Sequence, residues 1–285
     1  DSERAPEAVP SPPDAPVSRP GDAWKLGAHR VICGDATGVK AYQALLGEER
    51  ADVVWTDPPY NVAYEGKAGA IQNDDMGDAE FLDFLRSVFR NIALYLRQGG
   101  CAYVSHADAG ECGISFRRAF MDAGFHLAQC IVWRKDSMVL GRSDYQWVHE
   151  PILYGWLKGA GHKFYGGRKQ TTVSEAGSYG SPFIKRPDGR WQITIGEETL
   201  IVSGEASIEW VEHSLMREIR PKRSNVHPTM KPVALSERML RNSAKPGAKV
   251  LDAFGGSGST LIAAERLGMS ARMIELSPTF VDVII

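Results

Sequence analysis

Asp57-Pro58-Pro59-Tyr60 places a carboxylate, two rigid prolines and a phenol ring in consecutive positions, directly after the apolar run Ala51-Asp52-Val53-Val54-Trp55-Thr56. Alone, Asp-Pro-Pro is a turn signal. The same residues can also manage a weakly nucleophilic amine. An exocyclic amine of adenine or cytosine has its lone pair delocalised into the ring. The Asp57 carboxylate and the Pro58 carbonyl can each accept one of its N–H hydrogens. The nitrogen then turns toward tetrahedral geometry and aims its lone pair at a methyl sulfonium. Proline fixes φ, so that carbonyl is held in place before the substrate arrives. Tyr60 offers a ring for stacking on an extracted base, a contact worth about 1–3 kcal/mol. Methylation acidifies the amine, so its proton can leave afterwards to Asp57 or water, and no strong base is needed at the start.

A second chemical loop is Phe254-Gly255-Gly256-Ser257-Gly258-Ser259-Thr260, which follows the strand-like Lys249-Val250-Leu251-Asp252-Ala253-Phe254 and opens a helix. Glycines let a ligand approach the backbone, and a helix N-terminus presents free N–H groups. No G-K-[ST] follows, which disfavours a phosphate-cradling loop. The next strand, Ala271-Arg272-Met273-Ile274-Glu275, ends in an acid able to hold ribose hydroxyls. The bland alternative is a tight strand-to-helix turn with a surface acid.

The elements that must position these loops alternate. Short strands end at Gly34-Asp35 and at Asp57. Residues 79–97 carry Phe81, Leu82, Leu85, Val88, Phe89, Ile92 and Leu96 at helical spacing, with Gly99-Gly100 as the expected stop. A strand at Cys101–Ser105, a helix over 111–123 and a strand at Gln129–Trp133 follow, then, after a gap, a helix over 233–243 and another over 258–267. Strand, helix, strand predicts a parallel sheet with right-handed crossovers. Both loops then lie at one carboxyl edge, where open α/β sheets bind ligands, although about 200 residues separate them.

Residues 1–22 are rich in proline, alanine, serine and acids and read as a disordered linker or tail. Residues 23–133 form a catalytic half and 227–285 a cofactor half. Between them, 134–226 break the rhythm with alternating stretches at 190–195, 199–202 and 207–211, an antiparallel β insert over about 177–215.

With 43% hydrophobic and 24% charged residues, the 285-residue chain has an ordinary globular composition. It contains no apolar run long enough to span a membrane, and its acidic, proline-rich start does not resemble a signal peptide. Cys33, Cys101, Cys112 and Cys130 show no C-x-x-C pairing, and three of them sit in apolar runs, so a reducing cytoplasm is the expected compartment. No metal site is read. The net charge of −2 argues mildly against nucleic acid, but cations cluster at Lys163, Arg168 and Lys169, at Lys185, Arg186 and Arg190, and between Arg217 and Lys231. Such clusters also suit a solvated face, so charge decides nothing here.

Four segments together resemble the β-class amino methyltransferases of DNA: Val31-Ile32-Cys33-Gly34-Asp35, Asp57-Pro58-Pro59-Tyr60-Asn61, His227-Pro228-Thr229-Met230-Lys231-Pro232-Val233, and Leu251–Ser259 with Glu275 after it. The catalytic loop precedes the cofactor loop, with target recognition between them, as in that family. The resemblance covers residues 24–285 apart from the insert. It implies a Rossmann-like S-adenosylmethionine-dependent methyltransferase fold, circularly permuted, with an inserted β-rich recognition region. It also implies that Phe254, Gly255, Gly256 and Gly258, with Asp252, Ser257 and Ser259 of the same motif, line the methionine and ribose of S-adenosylmethionine. Glu275 would hold the ribose hydroxyls, Asp35 the adenine amine of the cofactor, and Thr229 and Lys231 the methionine carboxylate. Asp57 would border the cofactor as well as the base. Lys231 suits that carboxylate as a cation; His227, with no acid nearby in sequence, is read as structural or DNA-facing.

Asp-Pro-Pro-Tyr in this family points to adenine N6, whereas serine in place of Asp57 favours cytosine N4. The family is common in restriction-modification systems, phages and prophages, and versions with an upstream ParB-like domain carry a linker like residues 1–22. Two departures stand out. A long stretch intervenes between Thr172 and Pro221 where relatives run almost directly on, and the sequence stops at Ile285 where relatives usually continue into another helix, so the last α/β unit is expected to be truncated.

The expected partner is double-stranded DNA, with a homodimer, an upstream ParB-like domain and a restriction nuclease left open. A duplex hides the target amine, so the base must be flipped out. Lys163, Arg168, Lys169, Lys222 and Arg223 are the expected phosphate contacts. The long polar loop 61–78 either closes over the flipped base or is passive surface. Two other classes stand beside this reading: the same chemistry on RNA or on a protein amide, and a non-catalytic DNA-binding or cofactor-sensing module.

Overall fold

The computed structural model describes residues 10–13, 15–62, 65–66, 69–70, 72–139, 144–168, 170, 172–175, 183–186, 188–195, 198–202 and 231–285. In chain order these form β1 (Ala23–Leu26), β2 (His29–Cys33), α1 (Val39–Leu46), β3 (Ala51–Thr56), β4 (Glu65–Gly66), β5 (Gly69–Ala70), α2 (Asp78–Tyr95), β6 (Leu96–Ser105) and α3 (Gly110–Asp122). There follow β7 (Phe125–Val139), β8 (Trp147–Leu157), β9 (Val173–Glu175), β10 (Phe183–Lys185), β11 (Trp191–Ile195), β12 (Glu198–Val202), α4 (Val233–Ser243), β13 (Lys249–Asp252), α5 (Ser259–Arg266), β14 (Ser270–Glu275) and α6 (Pro278–Ile284).

One nine-stranded sheet carries the molecule, in the order β1-β2-β14-β13-β3-β6-β8-β7-β9. Alternate side chains go to opposite faces, as a strand's period of two requires. Ile32, Val54, Ala102 and Val104 meet α1, α2 and α3 in one apolar layer. Val31, Cys33, Val53, Trp55, Cys101 and Tyr103 meet α4, α5 and α6 in the other. Helix α2 turns Phe81, Phe84, Leu85, Val88, Phe89, Ile92 and Tyr95 to the sheet and sets Asp78 and Glu80 in its first turn, where the helix dipole favours acids.

From β2 to β6 the strands are parallel. The chain winds from β13 through α5 to β14 in one direction and from β3 through α2 to β6 in the other. The switch point therefore falls between β3 and β13, which pair directly through Val53–Val250 and Val54–Leu251. A crevice opens at the carboxyl ends of strands where winding reverses.

Three features differ from the sequence reading. First, the sheet is mixed: β8 runs antiparallel between β6 and β7, so residues 134–157, assigned by pattern to the recognition region, partly complete the central sheet. A hairpin strand buried on both faces lacks the helix that marks a βαβ unit, so its membership is invisible to strand–helix alternation. Second, α2 stops at Tyr95, and the glycines lie inside β6, where Gly99 takes φ 72° at a register shift against β3. An added Cβ there would come within 2.5 Å of the Gly161 carbonyl. Third, the chain is docked before residue 22: Asp282 accepts the amides of Val17 (2.5 Å) and Ser18 (3.0 Å), and Gly21 N–H donates to the Cys33 carbonyl. The β10–β12 antiparallel sheet lies within the expected insert. The expected strand at 207–211, with Lys169, Lys222, Arg223, His227 and Thr229, lies outside the described residues.

Candidate active site

Two neighbouring strands deliver the two chemical loops. Asp57 follows β3 and Phe254 follows β13 by a residue, and a buried clamp ties the strand ends together. Asp252 Oδ1 accepts from Thr56 Oγ1 (2.8 Å) and from the Phe254 amide (3.0 Å), and its Oδ2 accepts from Thr260 Oγ1 (2.5 Å). Thr56 Oγ1 in turn accepts the Ala253 amide at 3.2 Å. Asp252 is 3% exposed, so the carboxylate expected to line the cofactor instead braces the two loops and the start of α5. Burial pushes its pKa up to about 7 against the pull of those donors, with the Asp57 charge adding to the rise.

The glycine turn fits a ligand with hydroxyls and an extended shape. Gly256 and Gly258 take φ 52° and 87°, conformations open to glycine at little cost. The Gly256 amide donates to Glu275 Oε2 (2.7 Å) and the Ser277 amide to Glu275 Oε1 (2.8 Å), which leaves each oxygen a second lone pair. Burial raises the Glu275 carboxyl against these two amides. One strand further, Asp35 is exposed and bonds within its own turn to the amide and hydroxyl of Thr37. Asp57, the glycine turn, Glu275 and Asp35 thus stand along one edge in the strand order β3-β13-β14-β2, about 4.8 Å per step. Phe254 is half-buried against Phe84, and Ser257 and Ser259 are half-buried in the same turn.

Around Asp57 lies a charged cluster that only its sequence-distant parts complete. Asp57 Oδ1 accepts from Tyr60 Oη (2.7 Å) and Oδ2 from Lys231 Nζ (2.6 Å). Lys231, 5% exposed, also contacts Glu150 Oε2 at 3.1 Å, and Glu150 Oε1 is paired with Lys135. Tyr60 Oη reaches Glu150 Oε2 at 3.3 Å, and the Lys231 ammonium stands 5.3 Å from the Tyr60 ring centroid. Burial opposes the Lys231 charge, but Asp57 and Glu150 outweigh it and hold its pKa above the ordinary lysine value. Burial likewise opposes the Glu150 charge, yet Lys231 and Lys135 bring its pKa down to about 2. For Asp57 burial wins and raises the carboxyl, with Lys231 pulling it back.

The loop itself is anchored. Asn61, at φ 57°, accepts the Met76 amide on its side-chain oxygen (2.6 Å), donates to the Met76 carbonyl (2.9 Å) and gives its own amide to Asp74 (2.7 Å). Pro58 is buried, Pro59 half-buried, and Tyr60 packs edge-on against Phe116 at 6.4 Å.

Lys231 thus reaches the site, but its ammonium meets Asp57 and Glu150. One of the expected phosphate contacts lies away from it. Lys163 is exposed on the chain leaving β8, and its carbonyl accepts the thiol of Cys101 in the middle of β6. Cys101 pairs with Val53, four residues before Asp57, so Lys163 sits about 13 Å down the strands from the carboxyl edge. Arg168 follows Gly167, which lines a cavity beside Tyr103 and Met239 on the α4 layer. Antiparallel β8 carries the chain, and Lys163 after it, away from the carboxyl edge. Lys135 and Glu150 were missed, yet a signal existed. Ile131, Trp133 and Lys135 share one face of β7, and Glu150, Ile152 and Tyr154 one face of β8, so each charge stands where an apolar residue was due.

The DNA methylase family model, of N6/N4 amino methyltransferases, matches residues 51–285. The chain is 27% identical over 261 residues to the DNA adenine methyltransferase YhdJ of Escherichia coli K12, covering 90% of this chain and 81% of that protein. It superposes on the M1.HpyAVI–SAM complex with a TM-score of 0.53 at 19% identity, covering 89% of this chain and 96% of that one. The cytosine-N4-specific PvuII DNA methyltransferase gives 0.62 at 16% identity, covering 95% and 89%. With the match spanning both loops and every strand between them, the chain belongs to the DNA methylase family of N6/N4 amino methyltransferases.

Proposed function

We propose that this protein methylates the exocyclic amine of a base flipped out of duplex DNA, with S-adenosylmethionine as donor and adenine N6 as the acceptor. The observation that carries the reading is the direct pairing of β3 with β13, which sets Asp57 and the glycine turn side by side. The residues present fit the cofactor: the glycine turn with Phe254 for its methionine and ribose, Glu275 for ribose hydroxyls, Asp35 for its adenine amine. S-adenosylmethionine, once bound, supplies an electrophilic methyl group.

The protein's own groups do the rest. Asp57 and the Pro58 carbonyl accept the two amine hydrogens, and the rigid prolines keep that carbonyl in place. Each Asp57 oxygen already accepts one donor and has a second lone pair for the substrate. The half-exposed Tyr60 ring is the stacking face for the base. The outer part of the β7–β8 hairpin and the β10–β12 sheet are the elements assigned to target recognition. Asp57 in place of serine is the ground for adenine.

The cytosine-N4 reading has the likeness to the PvuII enzyme behind it, but a fold likeness at 16% identity carries no base preference. Incubation with tritiated S-adenosylmethionine and DNA, RNA or protein in parallel tests the substrate class, and mass spectrometry of digested DNA identifies the base. Label in DNA as N6-methyladenine is expected. N4-methylcytosine overturns the base assignment, and label confined to RNA or protein overturns the substrate.

A further inference from the structure

We propose that Glu150 is a positioning residue for methyl transfer: bridging Lys135 and Lys231, it holds the Lys231 ammonium against Asp57 and so sets the orientation of the carboxylate that receives the amine. The inference rests on the role given to Asp57 above. Its ground is a chain of contacts across four elements: Lys135 from β7 to Glu150 from β8, Glu150 to Lys231 ahead of α4, and Lys231 to Asp57 after β3. Lys135 is 8% exposed at its side chain, Glu150 16% and Lys231 5%, so water does little to screen these contacts.

The charges require one another. Burying an ion is costly unless a partner offsets it. Lys231 with Asp57 alone would leave the Lys135–Glu150 pair idle, but Glu150 touches both lysines and makes one neutral unit of four. A carboxylate gripped from one side by an ammonium cannot swing freely about its Cβ–Cγ bond. Tyr60 Oη, within 2.7 Å of Asp57 and 3.3 Å of Glu150, grips from the other. The remaining lone pairs of Asp57 then point in a set direction before the base arrives.

The groups that face Asp57 are Tyr60 from its own loop, Lys231, Glu150 behind it, and Asp252 from β13. If Glu150 holds Lys231 in place, its loss loosens the larger pull on Asp57 and makes that carboxyl harder to ionise, whereas with Lys231 held independently only the repulsion of Glu150 is lost and the carboxyl becomes easier to ionise. Glu150→Gln should lower kcat roughly 10–100-fold, by analogy with the loss when a partner that orients a metal ligand is removed, with KM for DNA and affinity for S-adenosylmethionine within about threefold. Glu150→Asp should recover part of the loss.

The second readout needs no activity: the 13C titration of the Asp57 carboxyl in cofactor-free protein, assigned by its absence in Asp57→Asn, should move to higher pH in Glu150→Gln. Should Glu150→Gln fail to fold, the doubly substituted Lys135→Met/Glu150→Gln protein keeps the buried cluster neutral and serves in its place, with the same loss of kcat expected. Full kcat, or an Asp57 titration that stays put or moves to lower pH, overturns the inference. If wild-type protein transfers no methyl group while the titration still moves, the proposed function fails and the coupling of Glu150 to Asp57 stands.

Discussion

With both Asp57 oxygens engaged by Tyr60 and Lys231, the proposed role of Asp57 has a substrate amine accepted by the lone pairs those donors leave open. Asp57→Ala removes the acceptor while leaving the glycine turn, Glu275 and Asp35 intact. Methyl transfer should fall about 10²–10³-fold, the loss typical of a preorganised transition-state contact, with binding of S-adenosylmethionine and DNA within about threefold. A tritiated transfer assay beside calorimetric binding and a thermal melt checks this; retained transfer would remove Asp57 from its role. Asp252 makes a different prediction. Its folded pKa of about 7 exceeds the unfolded value of 3.8, so the folded state holds the proton more tightly. Its contribution to stability is full below about pH 4 and is lost as pH rises through about 7, by at most about 4 kcal/mol. Asp252→Asn can still accept from the Phe254 amide and bond to both threonines, so it should flatten that slope. Urea unfolding from about pH 4 to about pH 8 measures it, and an unchanged slope would assign the dependence to another group.

The turn from β13 into α5 is where local backbone geometry and ligand binding meet. Gly258, at φ 87°, is the N-cap of α5, with Ile284 side-chain atoms 3.4 and 3.6 Å from where a Cβ would stand. Gly258→Ala should cost about 1–2 kcal/mol of stability through the left-handed backbone and weaken S-adenosylmethionine binding by distorting the turn. Thermal unfolding with and without cofactor checks both; an unchanged melting temperature would show that the turn tolerates a side chain. This turn was legible in the sequence because its signal is local: glycines between an apolar strand and a helix. So was the Asp57 loop, and parallel-sheet reasoning correctly put both at one edge. What pattern reading missed depends on non-local pairing. Lys135 and Glu150 acquire meaning only when β7 pairs with β8 and β8 with β6. The Lys231 ammonium, read as a partner for the cofactor's carboxylate, meets Asp57 because α4 begins on the same face as Trp133 and Ile152. Asp252 looked like a ligand group because it stands in the glycine motif, and nothing local told that Thr56, 196 positions away, would use it.

For the molecule as a whole, the proposed function brings the amine to Asp57, which requires duplex DNA to lie across the carboxyl edge of the sheet. A net charge of −2 means that attraction to phosphates must come from where cations stand and not from their sum. Arg134 is exposed on β7 beyond the level of Ser105, paired across the hairpin with His149, with Trp147 exposed nearby. It overhangs the edge that carries Asp57, whereas Lys163 lies at the other end of the strands. Arg134→Ala should therefore weaken binding to a duplex of arbitrary sequence and reduce the slope of log K against log salt by about one unit, the effect of one lost phosphate contact. Lys163→Ala, which removes the same charge from the chain, should leave both within about twofold of wild type. Fluorescence anisotropy with a labelled duplex over a salt series separates the two variants. Equal weakening by both would mean that DNA reaches the amino edge as well. Weakening by Lys163→Ala alone would place the DNA on the opposite side of the sheet from Asp57, where no base flipped from it could meet the carboxylate.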